Sequence, residues 1–258
     1  LTSILYGILA GVVILYMTFT SRETKLDPEE AKPGLWNSIK DLLANKKFWI
    51  AGFVGAFYSA AMSLVLASVP FFVEYALGLD SGKSTFLLAA VLLIAIAGVA
   101  LWAWLVRKFS LIPVWRAALA VLTIAFVPLY FAQNLVMGII FSAFVGLGFA
   151  GVITTMDLIG AKIMDEDTQK YGLRREGIIS NAMGFMNRLN GLFTGAAYLL
   201  VSRIYLFQSG DNPGPHPDVA ARFLMTIVPP VLMLISFVFS WFIDFKKPVE
   251  TLAETAAS

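Results

Sequence analysis

Two ionisable residues fall deep inside apolar stretches long enough to be membrane helices, where a charge is costly enough to imply a task. Arg188 follows Gly177 by about 11 residues, which at ~1.5 Å per residue places it roughly 16 Å along a helix, near a bilayer midplane. Gly177, Asn181, Gly184, Arg188, Gly191 and Gly195 recur at steps of four and three, so they share one helix face that is small and polar. A guanidinium on such a face can donate hydrogen bonds to a substrate in a cavity. Alternatively, the glycines admit a neighbouring backbone and Arg188 pairs with a carboxylate or carbonyls. On the preceding stretch, Thr154, Thr155 and Asp157 follow Gly146, Gly148 and Gly151. Asp157 lies roughly 12 Å from the polar end of its helix by the same rise. An ion pair between Asp157 and Arg188 is feasible, either as a lock opened by substrate or coupling ion or as simple neutralisation. Tyr58, Ser59 and Ser63 add polar groups midway along another apolar stretch. The candidate substrate-binding set is Arg188, Asn181, Asp157, Thr154 and Tyr58.

A second constellation joins two of these stretches. Asp165, Glu166 and Asp167 close one, and Arg174, Arg175 and Glu176 open the next. Acids at a helix C-terminus and bases at a helix N-terminus oppose the helix dipoles, so local helix stability does not account for them. Salt bridges that form in one conformation and break in another would account for them, as would solvated loop charges. Asp165, Asp167, Arg174, Arg175 and Glu176 form the candidate gate.

The elements that must position these residues follow from composition. Of 258 residues, 59% are hydrophobic and 14% charged, too apolar for a soluble domain. Apolar runs of about 20 residues predict membrane-spanning helices, and their lack of strict alternation excludes a spanning β-barrel. Seven helices are predicted: 1–20, 48–78, 85–106, 115–134, 135–161, 177–207 and 221–245. Residues 21–47 read as a linker, 48–245 as a six-helix unit and 246–258 as a tail. Alternate connections hold 15 of the 19 Lys and Arg residues, which predicts that those connections and the C terminus face the cytoplasm, in the plasma membrane.

Within the linker, Leu35, Trp36, Ile39, Leu42 and Leu43 have helical spacing and predict an amphipathic surface helix, with Lys40, Lys46 and Lys47 toward headgroups or solvent. Trp102 and Trp104 read as interface anchors, Glu74 as a rim carboxylate and His216, between two prolines, as a solvated surface histidine. With no cysteine and one histidine, disulfide frameworks, thiolate metal sites and cysteine nucleophiles are excluded. A lipid-modifying enzyme lacks convergent catalytic groups, so no enzyme is expected. Nothing in the pattern points to nucleic acid. The chain opens with Leu1 inside an apolar stretch and reads as a fragment: one helix, a linker and six helices.

The junction residues carry a family resemblance. Asp165, Gly172, Arg174, Arg175, Glu176 and Gly177 stand in the order of an acidic stretch, a short polar segment and Gly-x-Arg-Arg-Glu-Gly. This resembles the signature between the tenth and eleventh helices of the glycoside-pentoside-hexuronide:cation symporter family, the melibiose-carrier-like branch of the major facilitator superfamily. The resemblance implies an all-α membrane protein, the C-terminal six-helix half of a twelve-helix carrier plus the helix before it, with the N-terminal half as partner. It implies transport of a sugar or glycoside driven by sodium or a proton, that cation binding mainly in the N-terminal half, with no other cofactor. A helix-eleven lysine lies in the substrate site of sugar carriers of this family, and Arg188 occupies the matching position. Lys162 stands where the family has the first acid, and the middle of the tenth helix, where sugar sites tend to offer an aromatic platform, has Phe149 but neither Trp nor Tyr. Lysophospholipid carriers share the family, so another amphiphile is the alternative substrate, and a non-transporting scaffold the alternative role.

Overall fold

The structure is a computed structural model describing residues 2–20, 34–172, 175–208 and 213–245. Residues 21–33 of the linker, Arg174 and the tail 246–258 lie outside the described residues. The helices are α1 (Thr2–Thr20), α2 (Leu35–Ala44), α3 (Lys46–Phe71), α4 (Ser84–Phe109), α5 (Leu111–Ala125), α6 (Val127–Tyr130), α7 (Leu135–Tyr171), α8 (Glu176–Asn187), α9 (Asn190–Tyr205), α10 (Pro217–Thr226) and α11 (Val228–Ser240). No strand occurs among the described residues. Water is absent from hydrocarbon, so a spanning chain must satisfy its backbone internally, and helices do so one residue at a time. Among the described residues, five helical segments are long and apolar enough to cross a membrane: Lys46–Ala76, Ser81–Phe109, Leu111–Tyr130, Leu135–Tyr171 and Pro217–Ser240.

The chain divides into two units, Leu1–Pro33 and Gly34–Ser258. The first contains α1, an apolar helix in which Thr18 returns its hydroxyl to the Ile14 carbonyl at 2.8 Å. In the second, α7 packs along α4 and α5, while α11 packs along α3 and α5. Between helices in lipid the hydrophobic effect is weak, so close backbone approach supplies the attraction. A Cβ at Gly148 would stand 2.6 Å from Leu122 Cα, and one at Gly151 would stand 2.5 Å from the Trp102 ring and 2.8 Å from Ala118 Cβ. Trp102 is therefore a core residue and no interface anchor: the Gly151 notch takes its indole, whose N–H donates to the Leu147 carbonyl at 2.9 Å. Trp104 is exposed, with the Lys108 ammonium over its ring.

Several boundaries differ from the sequence expectation, each for a local reason. α7 continues ten residues past Ala161 because no helix breaker intervenes before Gly172, which ends it at φ 65° with its N–H on the Thr168 carbonyl. Asp165, Glu166 and Asp167 are thus helical. The helix after α4 breaks at Phe126 ahead of Pro128, and the last one breaks at Ile227 ahead of Pro229 and Pro230. Pro70 precedes a π-helical turn at Phe72–Ala76 that ends the α3 span. The expected helix over 177–207 is two helices, α8 and α9, divided at Arg188 and Leu189.

The two ends of the bundle are tied differently. At one end the starts of α3 and α5 meet the ends of α7 and α11: Lys47 and Lys162 lie over the Phe245 ring, and Arg116 donates to the carbonyl of Ile243 at 2.9 Å. At the other, Arg222 of α10 donates to the carbonyls of Ala76, Tyr130 and Ala132 at 2.8–3.0 Å, serving the ends of two spans at once. Glu74 and His216 are exposed near this end.

Gly148→Val should overpack the α5–α7 contact and cost about 1–3 kcal/mol, lowering the thermal midpoint in detergent. Gly184→Ala, where a Cβ meets nothing within 4 Å, should leave the midpoint unchanged or raise it slightly, since alanine favours the helix.

Candidate functional site

The division of α8 from α9 is built from asparagines and glycines. Asn187, Asn190 and Gly191 are poor helix formers, and the two asparagine side chains lie against α3. A Cβ at Gly55 would sit 2.7 Å from Asn187 Oδ1, and Gly52 leaves a notch that the Met186 side chain fills. Asn190 Nδ2 donates to Ser59 Oγ at 3.0 Å and Ser63 Oγ at 3.2 Å. Between these two anchorages the backbone tightens to three-residue spacing: Arg188 N–H bonds the Phe185 carbonyl at 3.1 Å and Leu189 N–H the Met186 carbonyl at 3.0 Å. Such a tightened turn between two helices marks a hinge or a site.

Beside it, α3, α7 and α8 line an open cavity of about 430 Å³, within the size range of small-molecule sites. Its polar lining is Tyr58 and Ser59 from α3, Asp157 from α7, and Ser180 and Asn187 from α8. Hydroxyls, an amide and one carboxylate offer both donors and acceptors, the set a polyhydroxylated ligand requires. Methionines 156, 164 and 183 line the apolar part.

Of the five residues expected to bind substrate, Tyr58 and Asp157 line this cavity, and Thr154, Asn181 and Arg188 do not. Thr154 is half-buried and returns its hydroxyl to the Ala150 carbonyl of its own helix at 2.7 Å. Asn181 and Arg188 lie on the exposed face of α8. Among the described residues, Asp157 and Arg188 form no ion pair with each other or with any other group. Gly177, Asn181, Gly184, Arg188, Gly191 and Gly195 are all exposed, and a Cβ at any of the four glycines would meet no atom within 4 Å. Close packing, the alternative reading of this face, finds no partner among the described residues. Gly184 belongs both to this face and to the cavity lining, so the two adjoin.

At the α7–α8 junction, charges expected to form bridges do so selectively. Arg175 grips Asp167 with two parallel bonds, Nε to Oδ2 at 3.0 Å and Nη2 to Oδ1 at 2.9 Å, and both side chains are almost wholly buried, 3% and 2% exposed. Its remaining arm, Nη1, donates to Asp41 Oδ2 on α2 at 2.8 Å, and its plane lies over the Tyr171 ring at 4.3 Å. Burial opposes the guanidinium charge, but the bonds to Asp41 and Asp167 more than offset it and hold the Arg175 pKa above its ordinary value. Asp165 and Glu176 are exposed. Arg174 lies outside the described residues. Lys47 pairs with Glu166 at 2.6 Å nearby.

Sequence reasoning missed Asn187, Asn190, Ser180 and Asp41. The asparagines were within reach, since an amide in hydrocarbon needs a partner as surely as a charge does. Asp41 carried no signal, because its partner is 134 residues away.

The fold and cavity define a multi-pass integral membrane protein with a partly polar cavity among its helices, the arrangement of a transporter. The sequence matches the family described as MFS/sugar transport protein over residues 1–247, and the chain belongs to that family of the major facilitator superfamily. Membership bears out the all-α fold and the resemblance carried by the junction, and points to transport of a small sugar across a bilayer rather than to an enzyme. No curated protein matches the chain.

Removing Arg175 would leave Asp167 charged and buried, at a cost of about 3–5 kcal/mol. Arg175→Ala should therefore lower the thermal midpoint sharply. Asp41→Ala, which spares the two parallel bonds, should lower it much less, with the difference read from melting curves in one detergent.

Proposed function

We propose that the chain is the linker and C-terminal half of a cation-coupled sugar or glycoside symporter that works by alternating access. In this reading α1 is the sixth helix of a twelve-helix carrier. The unit from α3 to α11 is its transport half, and the N-terminal half covers the exposed face of α8 and α9. The observation that carries it is the cavity at the α8–α9 break, where Tyr58, Ser59, Asp157, Ser180 and Asn187 converge beside an uncovered strip of glycines. Substrate sites of secondary transporters lie near the midplane between repeats, beside discontinuous helices.

Asp157 and Asn187 accept and donate to sugar hydroxyls, and Tyr58 supplies a hydroxyl and a ring edge. Asn181 and Arg188 face the N-terminal half and complete the chamber with it, and Thr154 supports the α7 wall. The tie between Arg175, Asp167 and Asp41 is a gate at the basic end of the bundle, which the charge bias assigns to the cytoplasm. Asp165, Arg174 and Glu176 supply further charges to it when the halves meet. Sodium or a proton, bound mainly in the N-terminal half, couples to sugar by favouring the same closed state, an effect of differential affinity. The plasma membrane is the setting in which such a gradient is available.

Liposomes holding this chain with an N-terminal half should take up a labelled glycoside faster under an inward sodium or proton gradient. Asp157→Asn should cut that uptake about tenfold or more, as expected when hydrogen bonds of ~1.5–3 kcal/mol to a charged group are weakened, and Asn187→Ala should cut it about two- to tenfold, for the loss of a neutral hydrogen bond of ~0.5–1.5 kcal/mol. Gradient-independent uptake would remove the symport reading. Full activity in both variants would remove the cavity from the pathway.

A further inference from the structure

α2 presents two faces. Ser38 and Leu42 are buried against the protein, Leu42 clusters with Phe48, Ile179 and Met186, and Asp41 reaches Arg175. On the other side Trp36, Lys40 and Leu43, at steps of four and three, share a face that is uncovered: Trp36 is 75% exposed and Leu43 52%. Trp49, at the start of α3, extends this patch and donates its indole N–H to the Leu43 carbonyl at 2.8 Å. Lys40 and Lys46 are exposed beside it, while Lys47 is turned inward to Glu166.

The place of this patch is fixed by the membrane. Asn45 alone separates α2 from α3, and its side chain caps the first turn of that span by accepting from Lys47 N–H and Phe48 N–H. α2 therefore stands where hydrocarbon gives way to headgroups. Indole rings favour that level, and lysine stems can lie along acyl chains while their ammoniums reach phosphate. Two indoles, a leucine and two lysines make a face too apolar for water and too charged for hydrocarbon.

We propose that the Trp36, Lys40 and Leu43 face of α2, with Lys46 and Trp49, seats in the adjoining leaflet and binds the headgroups of anionic phospholipid. Each lysine adds about fivefold to the preference for anionic over neutral lipid. The same helix holds Asp41 on Arg175, so a leaflet that fixes α2 also steadies the junction of α7 and α8.

The chain has no cysteine, so Leu43→Cys gives it a single labelling site. A nitroxide there, in the full chain reconstituted in phosphatidylcholine with and without phosphatidylglycerol, reports collisions with oxygen and with a water-soluble nickel chelate. Oxygen collisions should prevail, the more so with phosphatidylglycerol, and Lys40→Glu with Lys46→Glu should erase the phosphatidylglycerol effect. Nickel collisions prevailing would put the face in water and overturn the proposal. Protection from both reagents would place protein over it, a second copy or another domain, and overturn it equally. Should the labelled variant fail to fold, quenching of tryptophan by brominated phosphatidylglycerol serves instead. Trp36→Phe should lower the quenchable fraction, and an unchanged fraction would overturn the proposal. None of these readouts depends on transport.

Discussion

Close approach of α7 to its neighbours is the constraint on which the rest of the structure rests. Lipid offers helices little reason to associate beyond contact itself, and contact improves as backbones draw together. Gly146, Gly148 and Gly151 let α7 lie against Val91 of α4 and Leu122 and Ala118 of α5 with no side chain between. Trp102 then fills the remaining notch and spends its one donor on the Leu147 carbonyl, and Trp115 turns its indole N–H to Met156 Sδ at 3.2 Å. With α7 fixed along its membrane length, its last turns project as a stalk carrying Glu166 and Asp167 to partners on α3 and at the start of α8. Asp157, about two turns beyond the glycine contacts, faces the cavity.

The α8–α9 pair follows another logic. It leans on α3 through polar and small groups: Asn187 in the Gly55 notch, Met186 in the Gly52 notch and Asn190 on two serines. Lower down, α9 joins α3 and α10 through Leu64, Val201 and Leu224. A helix held at separate points, with a tightened turn between them, can bend at that turn without opening the apolar core formed by α3, α4, α5, α7 and α11. The division is therefore a local accommodation to side chains on α3 and does not weaken the bundle.

The sequence made much of this legible and missed the rest for identifiable reasons. Long apolar runs located the spans, because hydrocarbon thickness sets their length independently of tertiary context. The step pattern from Gly177 to Gly195 revealed a shared face, but periodicity is silent on what a face touches. It could not show that Arg188 stands at a helix end with no partner among the described residues. The glycines of α7 read as a motif only in company with Val91, Leu122 and Trp102, which lie far along the chain. At the junction, opposed charges signalled pairing, yet Asp167 and Asp165 are indistinguishable in sequence. Only the helical phase of α7 decides that Asp167 turns inward to Arg175 and Asp165 outward to solvent.

Lys162 shows how a departure from a family pattern can be absorbed. An acid at that position would stand at the end of the bundle where Phe245 lies buried, with Lys47 over its ring. The ammonium of Lys162 lies over the same ring, so the aromatic is held between two cations, an arrangement that a carboxylate would oppose through the negative face of the ring. Lys47 keeps its charge balanced by Glu166, which lies one turn along α7 from Lys162. The three side chains thus anchor the segment after α11 to α3 and α7 together. Lys162 uses its charge to fasten the end of the bundle, while Asp167, on the buried side of the same helix, carries the charge that meets Arg175.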